Sequence, residues 1–242
     1  MAKSVLVTGS SGKLGHAVVA ELLERGLKVR GFDRRPSDLL PDTILGDLGD
    51  RPALDAAMSG VSCLIHLAAT PDDEDFVSSL LPNNIVGLYN VMESARAAGV
   101  SRIVLASSGQ VNWWRQMEGP FPIKEDQPVT PRGWYAATKM FMEAIGCGFT
   151  QLHGISVIVA RLGWCPRPGQ EAEIREAQWA HDVYFSSGDA GRFFASCVLA
   201  PENVRYLVVN AASRPAQVER MDLSVAREVL GYIPRDTFPQ GM

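Results

Sequence analysis

Tyr135 and Lys139 stand four residues apart in GWYAATKMF, so on a helix they share one face, with an ammonium able to reach toward a phenol. A free tyrosine titrates near about pH 10, and a nearby positive charge favours the phenolate, a usable proton acceptor closer to neutrality. One further hydroxyl would complete a proton-transfer centre. Ser107 and Ser108 in LASSGQV offer it at the end of an apolar run, where a serine can hold a substrate oxygen as its proton leaves. Tyrosine and lysine at this spacing are also common on solvated helices, so the pair carries weight only with elements that present it to a cavity.

A second group of residues suits phosphate. Gly9, Gly12 and Gly15 fall three apart in VLVTGSSGKLGHAVVAELLERG, between an apolar run and an amphipathic one. Strand, glycine turn and helix would bring a helix N-terminus to the carboxyl edge of a sheet, where backbone N–H groups and the helix dipole favour an anion. In that reading Gly9 makes the tight turn, Gly12 lets a pyrophosphate approach, and Gly15 lets the helix pack on the strand. Asp33 follows the next apolar run in VRGFDRR, placed to accept from an adenosine ribose or to serve as a turn carboxylate. Arg34 and Arg35 beside it would suit the extra phosphate of NADP, which Asp33 would repel, so NAD is the expected cofactor and NADP the less favoured. Asp47 in GDLGD follows a third expected strand, in position for an adenine amino group or as a plain turn aspartate.

The elements that must carry these residues are legible as alternating periods. SVLVTG, KVRGFD, CLIHLAA, RIVLASS and ISVIVARLG read as strands, with helical stretches such as HAVVAELLERG and IVGLYNVMESARAAG between some of them. Gly26 and Gly99 sit at helix stops. This is the pattern of an α/β fold, a Rossmann-type doubly wound parallel sheet. From about Pro166 the alternation fades into a helix-leaning segment and one strand, RYLVVNAAS. Residues 1–160 are therefore expected to form a dinucleotide-binding core, and residues 161–242 a small substrate cap interleaved with it in one compact unit.

At 46% hydrophobic, 21% charged and a net charge of -4, the 242 residues carry no basic surplus for nucleic acid. Apolar runs stop well short of the roughly 20 residues of a membrane span, and a cytoplasmic location without membrane contact is expected. Cys63, Cys147, Cys165 and Cys197 form no CxxC pair and lie beside no histidine cluster, so free thiols are expected, with neither metal site nor disulfide.

Glycine turn, Asp33, Ser108, Tyr135 and Lys139 in this order resemble the short-chain dehydrogenase/reductase superfamily. The glycine spacing is similar to its extended branch of sugar-nucleotide epimerases and dehydratases. HLAA, Asn84 in NNIVGLYNVMESA, and RLGWCPRP extend the resemblance over nearly the whole chain. Within the branch the chain looks most like the uronate dehydrogenases, compact NAD enzymes that oxidise a hexuronic acid at its anomeric carbon; REAQWAHDV and LGYIPRD add to that likeness. The resemblance implies that Tyr135 takes the proton from a substrate hydroxyl while its carbon gives hydride to nicotinamide. Lys139 would bind the nicotinamide ribose and lower the tyrosine pKa, and Ser108 would hold the reacting oxygen.

It also implies a cofactor site around Gly9, Ser11, Gly12, Lys13, Leu14 and Gly15, with Asp33, Arg34, Asp47 and Leu48 toward the adenosine. Leu67, Ala68, Ala69 and Asn84, with Tyr135 and Lys139, would surround the nicotinamide. Thr70, Ser107, Gly109, Gln110, Trp164 and Arg175 would meet a small-molecule substrate. Two positions depart from the uronate pattern: Gly109 stands where asparagine is usual, and Trp164 replaces a serine, removing polar partners and adding apolar bulk. Arg175 matches the arginine that pairs with the substrate carboxylate, or is a solvated helix arginine. Trp113, Trp114 and Trp134 bracket the catalytic loop, as a stacking wall or as loop packing. His66 reads as a packed residue, His16 and His153 as helix surface, and His181 with Asp182 as a helix-placing pair.

A sugar epimerase or NADP-linked carbonyl reductase of the same branch, and a non-catalytic dinucleotide-sensing protein, remain as alternatives. A homodimer is expected, since the helices bearing IVGLYNVMESA and YAATKMFMEAIG often pair across a twofold in this superfamily, with Ala136, Ala137 and Ala144 permitting close contact.

Overall fold

The computed structural model describes residues 4–242. Strands β1 (Ser4–Thr8), β2 (Lys28–Asp33), β3 (Ile44–Leu45), β4 (Cys63–His66), β5 (Arg102–Ser108), β6 (Ser156–Leu162) and β7 (Tyr206–Ala211) form a seven-stranded sheet in the order β3-β2-β1-β4-β5-β6-β7. Every neighbouring pair is parallel. The helices are α1 (Lys13–Glu24), α2 (Arg51–Met58), α3 (Gly87–Ala97), α4 (Trp113–Glu118), α5 (Trp134–His153), α6 (Glu171–Glu176), α7 (Ser187–Leu199) and α8 (Ser224–Leu230).

The two-residue period of a strand divides each run between two cores. Val104 and Ala106 of β5 join Val5, Val7 and Ile158 in a core shared with α1, α7 and α8, while Ile103 and Leu105 join Leu6, Val157 and Val159 in one shared with α2, α3 and α5. Strands buried on both faces are why these runs read as nearly continuous apolar stretches. Each fully buried aliphatic side chain contributes roughly 1.5–3 kcal/mol. Helix ends follow local chemistry: Asp50 caps α2 by accepting from Ala53 N–H at 3.1 Å, and Gly154 closes α5 at φ 70°. Ahead of α3, residues Phe76–Val86 wind as wider π-type turns containing Pro82, whose carbonyl accepts from Gly87 N–H.

Because β2 and β3 lie on one side of β1 and the remaining strands on the other, the chain reverses direction between β1 and β4, opening a crevice at their carboxyl ends. Segments after residue 161 divide between two places. Helix α7 packs on α1 so closely that a Cβ on Gly191 would meet Ala17 O at 2.9 Å, and β7 completes the sheet. Trp164, Trp179 and the C-terminal residues instead pack beyond the strand ends around Ile174, Ala180 and Tyr184. The C-terminal segment is tied down by the buried Asp189 carboxylate, which accepts from Arg235 N–H at 2.8 Å and Asp236 N–H at 3.0 Å. A division at residue 160 would fall inside β6.

Among the described residues, no helix is long and apolar enough to cross a membrane. Along α5, Trp134, Ala137, Phe141, Ala144 and Leu152 are exposed and follow helical spacing, whereas Ala136 is turned into the core and is unavailable for helix pairing.

Candidate active site

One continuous cavity of about 530 Å³ runs from the glycine turn after β1, past the ends of β4 and β5, to an aromatic wall formed by Trp113, Trp164 and Trp179. At its first end, Gly9 has φ +74°, and a Cβ there would lie 2.8 Å from Ala68 N. Gly15 lets α1 sit against the turn, where a Cβ would reach 2.0 Å from Gly9 O. Its contact is thus with the turn rather than the strand proper. At Gly12 a Cβ would approach only Gly9 O, at 3.4 Å, and no side chain caps α1, so bare backbone at a helix N-terminus lines the cavity. That cradle fits a dinucleotide pyrophosphate. Asp33 closes the turn by accepting from Ser11 N–H at 2.9 Å and Arg35 N–H at 3.0 Å, leaving carboxylate lone pairs for ribose hydroxyls.

Several residues assigned to the cofactor from sequence play supporting parts. Lys13 and Leu14 line the cavity, as do Leu67 and Ala69. Arg34 is exposed and outside its wall, while Arg35 Nη2 donates to Ser11 O at 3.2 Å. Asp47 is an exposed turn residue accepting from Gly49 N–H at 2.9 Å, and Leu48 is buried against Gly87. Asn84 is 3% exposed and does not face the cavity: its amide donates to Thr70 O and Thr138 Oγ1, both at 3.1 Å, and accepts from Thr70 N–H at 2.8 Å. Thr70, read as a substrate contact, is likewise committed to Asn84 and Asn83.

The proton-transfer residues do converge. Ser108 ends β5, Tyr135 is the second residue of α5, and Lys139 lies one turn further on, all lining the cavity. Lys139 Nζ donates to Ala106 O at 2.8 Å and lies 5.5 Å from the centre of the Tyr135 ring. The sequence expectation of a depressed tyrosine is not met in this structure. Burial holds the phenol above its ordinary value, outweighing the Ser108 hydroxyl, which favours the ionised form, and Asp72 adds to the rise. Burial pushes Lys139 down to about 8. Ser107 also lines the cavity, but its hydroxyl is given to Glu143 Oε1 at 2.7 Å.

At the substrate end the sequence missed most of the wall. A Cβ on Gly109 would lie 2.6 Å from Gln116 Nε2, which donates to Gly109 O at 2.7 Å. A glutamine from α4 therefore occupies the space left by the absent side chain and restores an amide to the cavity. Gln110 donates to Asp72 Oδ1 at 3.2 Å, and its buried Oε1 has no partner. Trp164 leans on Trp179 at 5.7 Å, and Trp179 meets Trp113 edge-on at 5.4 Å. Trp114 and Trp134 stand outside, 51% and 65% exposed, so only Trp113 of the sequence-identified trio reaches the cavity. Arg175 is exposed and also outside; Arg132 and Arg167 are the guanidinium groups on the wall. Cys165 lines the cavity too, its thiol pushed up to about 12 by burial. Arg132 lies three residues before Tyr135, Cys165 and Arg167 fall within RLGWCPRP and Trp179 within REAQWAHDV, so position in those motifs was the available signal.

The family described as NAD dependent epimerase/dehydratase matches residues 5–171. The chain belongs to that family. It is 30% identical over 248 residues to an L-arabinose 1-dehydrogenase (NAD(P)(+)) of Haloferax volcanii, covering 96% of each chain. It is 31% identical over 188 residues to a uronate dehydrogenase of Agrobacterium fabrum, covering 76% of this chain and 69% of that one. Among solved structures, the uronate dehydrogenase from Agrobacterium tumefaciens superposes with a TM-score of 0.80 at 30% identity, over 97% of this chain and 85% of that one. A mutant of that enzyme complexed with NAD gives 0.80 at 29% identity, over 98% and 86%. In this epimerase/dehydratase-family chain the architecture is a Rossmann-type doubly wound sheet with its cavity at the reversal point.

Proposed function

We propose that this chain is an NAD-dependent dehydrogenase that oxidises a hydroxyl-bearing carbon of a small sugar acid or related sugar. The observation carrying this reading is Tyr135 beside Ser108 and Lys139, in one cavity with the bare glycine turn. The named activities of the arabinose and uronate dehydrogenase relatives support it. The glycine turn with Lys13 and Leu14 would hold the pyrophosphate, Asp33 the adenosine ribose, and Leu67, Ala69 and Lys139 the nicotinamide end. NAD, when bound, supplies the hydride-accepting ring.

Tyr135 Oη takes the proton of the substrate hydroxyl. That step needs the phenolate, which burial disfavours and the Ser108 hydroxyl favours, with the Lys139 ammonium 5.5 Å from the ring centre to add its positive charge. Ser108 also orients the reacting oxygen, while the tryptophan wall limits water at the reacting carbon. The Asp33 carboxylate at the end of β2 would repel a ribose phosphate, which favours NAD over NADP. The same reading includes a homodimer through the exposed faces of α3 and α5, and a cytoplasmic location.

The test is NAD reduction against a panel of uronic acids and aldoses. Tyr135→Phe is expected to lower turnover about 10²- to 10⁴-fold while still binding NAD. Unaltered turnover in that variant overturns the assignment.

A further inference from the structure

The charged groups on the cavity wall are unequally engaged. Arg167 Nη2 reaches Asp72 at 3.4 Å and its Nη1 donates to Pro71 O at 3.3 Å. Lys13 Nζ donates to Pro166 O at 3.0 Å, and Glu173 accepts from Gln170 Nε2 at 3.3 Å. Arg132 makes no ion pair or hydrogen bond among the described residues. Its Cζ instead lies 4.4 Å from the centre of the Trp113 ring. A guanidinium held over an indole with none of its N–H groups engaged keeps its donors open to a bidentate anion.

Its position is also built. Thr130 N–H donates to Val111 O at 2.8 Å just before it, and Tyr135 N–H donates to Asp73 Oδ1 at 2.7 Å just after it. The segment carrying Arg132 is therefore pinned at both ends, three residues from the proton acceptor. On the same wall, the buried, unpartnered Gln110 Oε1 offers an acceptor to a hydroxyl, and the indoles offer a face to the C–H side of a ring.

We propose that Arg132 binds the anionic group of the substrate, a carboxylate or a phosphate monoester, and thereby selects acidic over neutral sugars, the task that sequence likeness would give to Arg175. The inference rests on the dehydrogenase reading above for its substrate. It makes Arg132 a specificity-determining residue three positions ahead of Tyr135.

The test measures NAD reduction with galacturonate, glucose 6-phosphate and galactose by the native chain and by Arg132→Gln, Arg132→Lys and Arg175→Gln, with calorimetric binding of the two anions in parallel. Arg132→Gln is expected to lower the kcat/KM ratio of acidic to neutral sugar roughly 10- to 100-fold, chiefly through KM, with Arg132→Lys recovering part of it. Preference for galacturonate or for glucose 6-phosphate in the native chain tells carboxylate from phosphate. The proposal is overturned if Arg132→Gln affects acidic and neutral sugars equally or neither. It is also overturned if the selective loss belongs to Arg175→Gln, or if the native chain prefers neutral sugars. Anion binding that Arg132→Gln weakens, without turnover of any sugar, would support Arg132 and overturn the dehydrogenase reading instead.

Discussion

His66 shows how burial alone can decide what a residue does. It sits 2% exposed at the end of β4, its Nδ1 2.8 Å from Thr8 Oγ1, and burial followed by the charge of Lys139 pushes its pKa from 6.5 down to about 3. It is neutral throughout the physiological range and serves as packing. Between about 3 and 6.5 the unfolded chain holds a proton that the folded chain releases, so stability rises with pH across that window and is lost as pH falls. The contribution is about 1.4 kcal/mol per pH unit, one proton's worth. Urea unfolding of His66→Gln at a series of pH values should show a slope shallower by that amount; an identical slope would mean that His66 is protonated in the fold. The same desolvation acts on Tyr135 and Lys139 and drives both toward their neutral forms.

At the scale of elements, one carboxylate aligns three of them. Glu143 on α5 accepts from Arg161 on β6 at 2.8 and 3.0 Å and from Ser107 on β5 at 2.7 Å, with the ion pair only 5% and 10% exposed. This fixes how α5 is rotated against the sheet, and with it which way Lys139 and Tyr135 face, one and two turns earlier. Glu143→Ala leaves a buried guanidinium uncompensated and should cost about 3–5 kcal/mol in chemical denaturation. Combining it with Arg161→Met should recover part of the loss, and strictly additive losses would show that the pair does not act as a unit. Sequence offered a partial hint here. Ser107 and Ser108 are adjacent on a strand and must point to opposite faces, so only one hydroxyl could serve the cavity. Which one it was depended on where Glu143 lay.

For the whole molecule, the π-type turns, α3 and α5 carry several exposed apolar side chains. Val77, Val86 and Tyr89, on the π-type turns and α3, are 71%, 47% and 61% exposed, and Trp134, Phe141 and Leu152 on α5 are 65%, 38% and 78% exposed. Exposed apolar residues gathered on neighbouring helices mark an interaction face. Sedimentation equilibrium should give twice the 26.3 kDa of one chain, and Val86→Lys with Phe141→Lys should return it to the single-chain mass. A native chain at the single-chain mass would refute the dimer.

What the sequence by itself determined about this protein is carried by short-range rules. Strand and helix periods marked the doubly wound sheet, a three-residue glycine spacing marked the turn, and a four-residue spacing put Tyr135 and Lys139 on one face. Each of these depends on neighbours within a turn or two of backbone. The tertiary structure alone decided that Gln116 fills the space at Gly109, that Asn84 supports Thr70 rather than facing the cavity, and that Trp113, Trp164 and Trp179 form one wall. It also turned Arg175 outward and set Arg132 over an indole. Those outcomes depend on which side chains from distant segments arrive at the same few ångströms, and that is set by the packing of the whole chain.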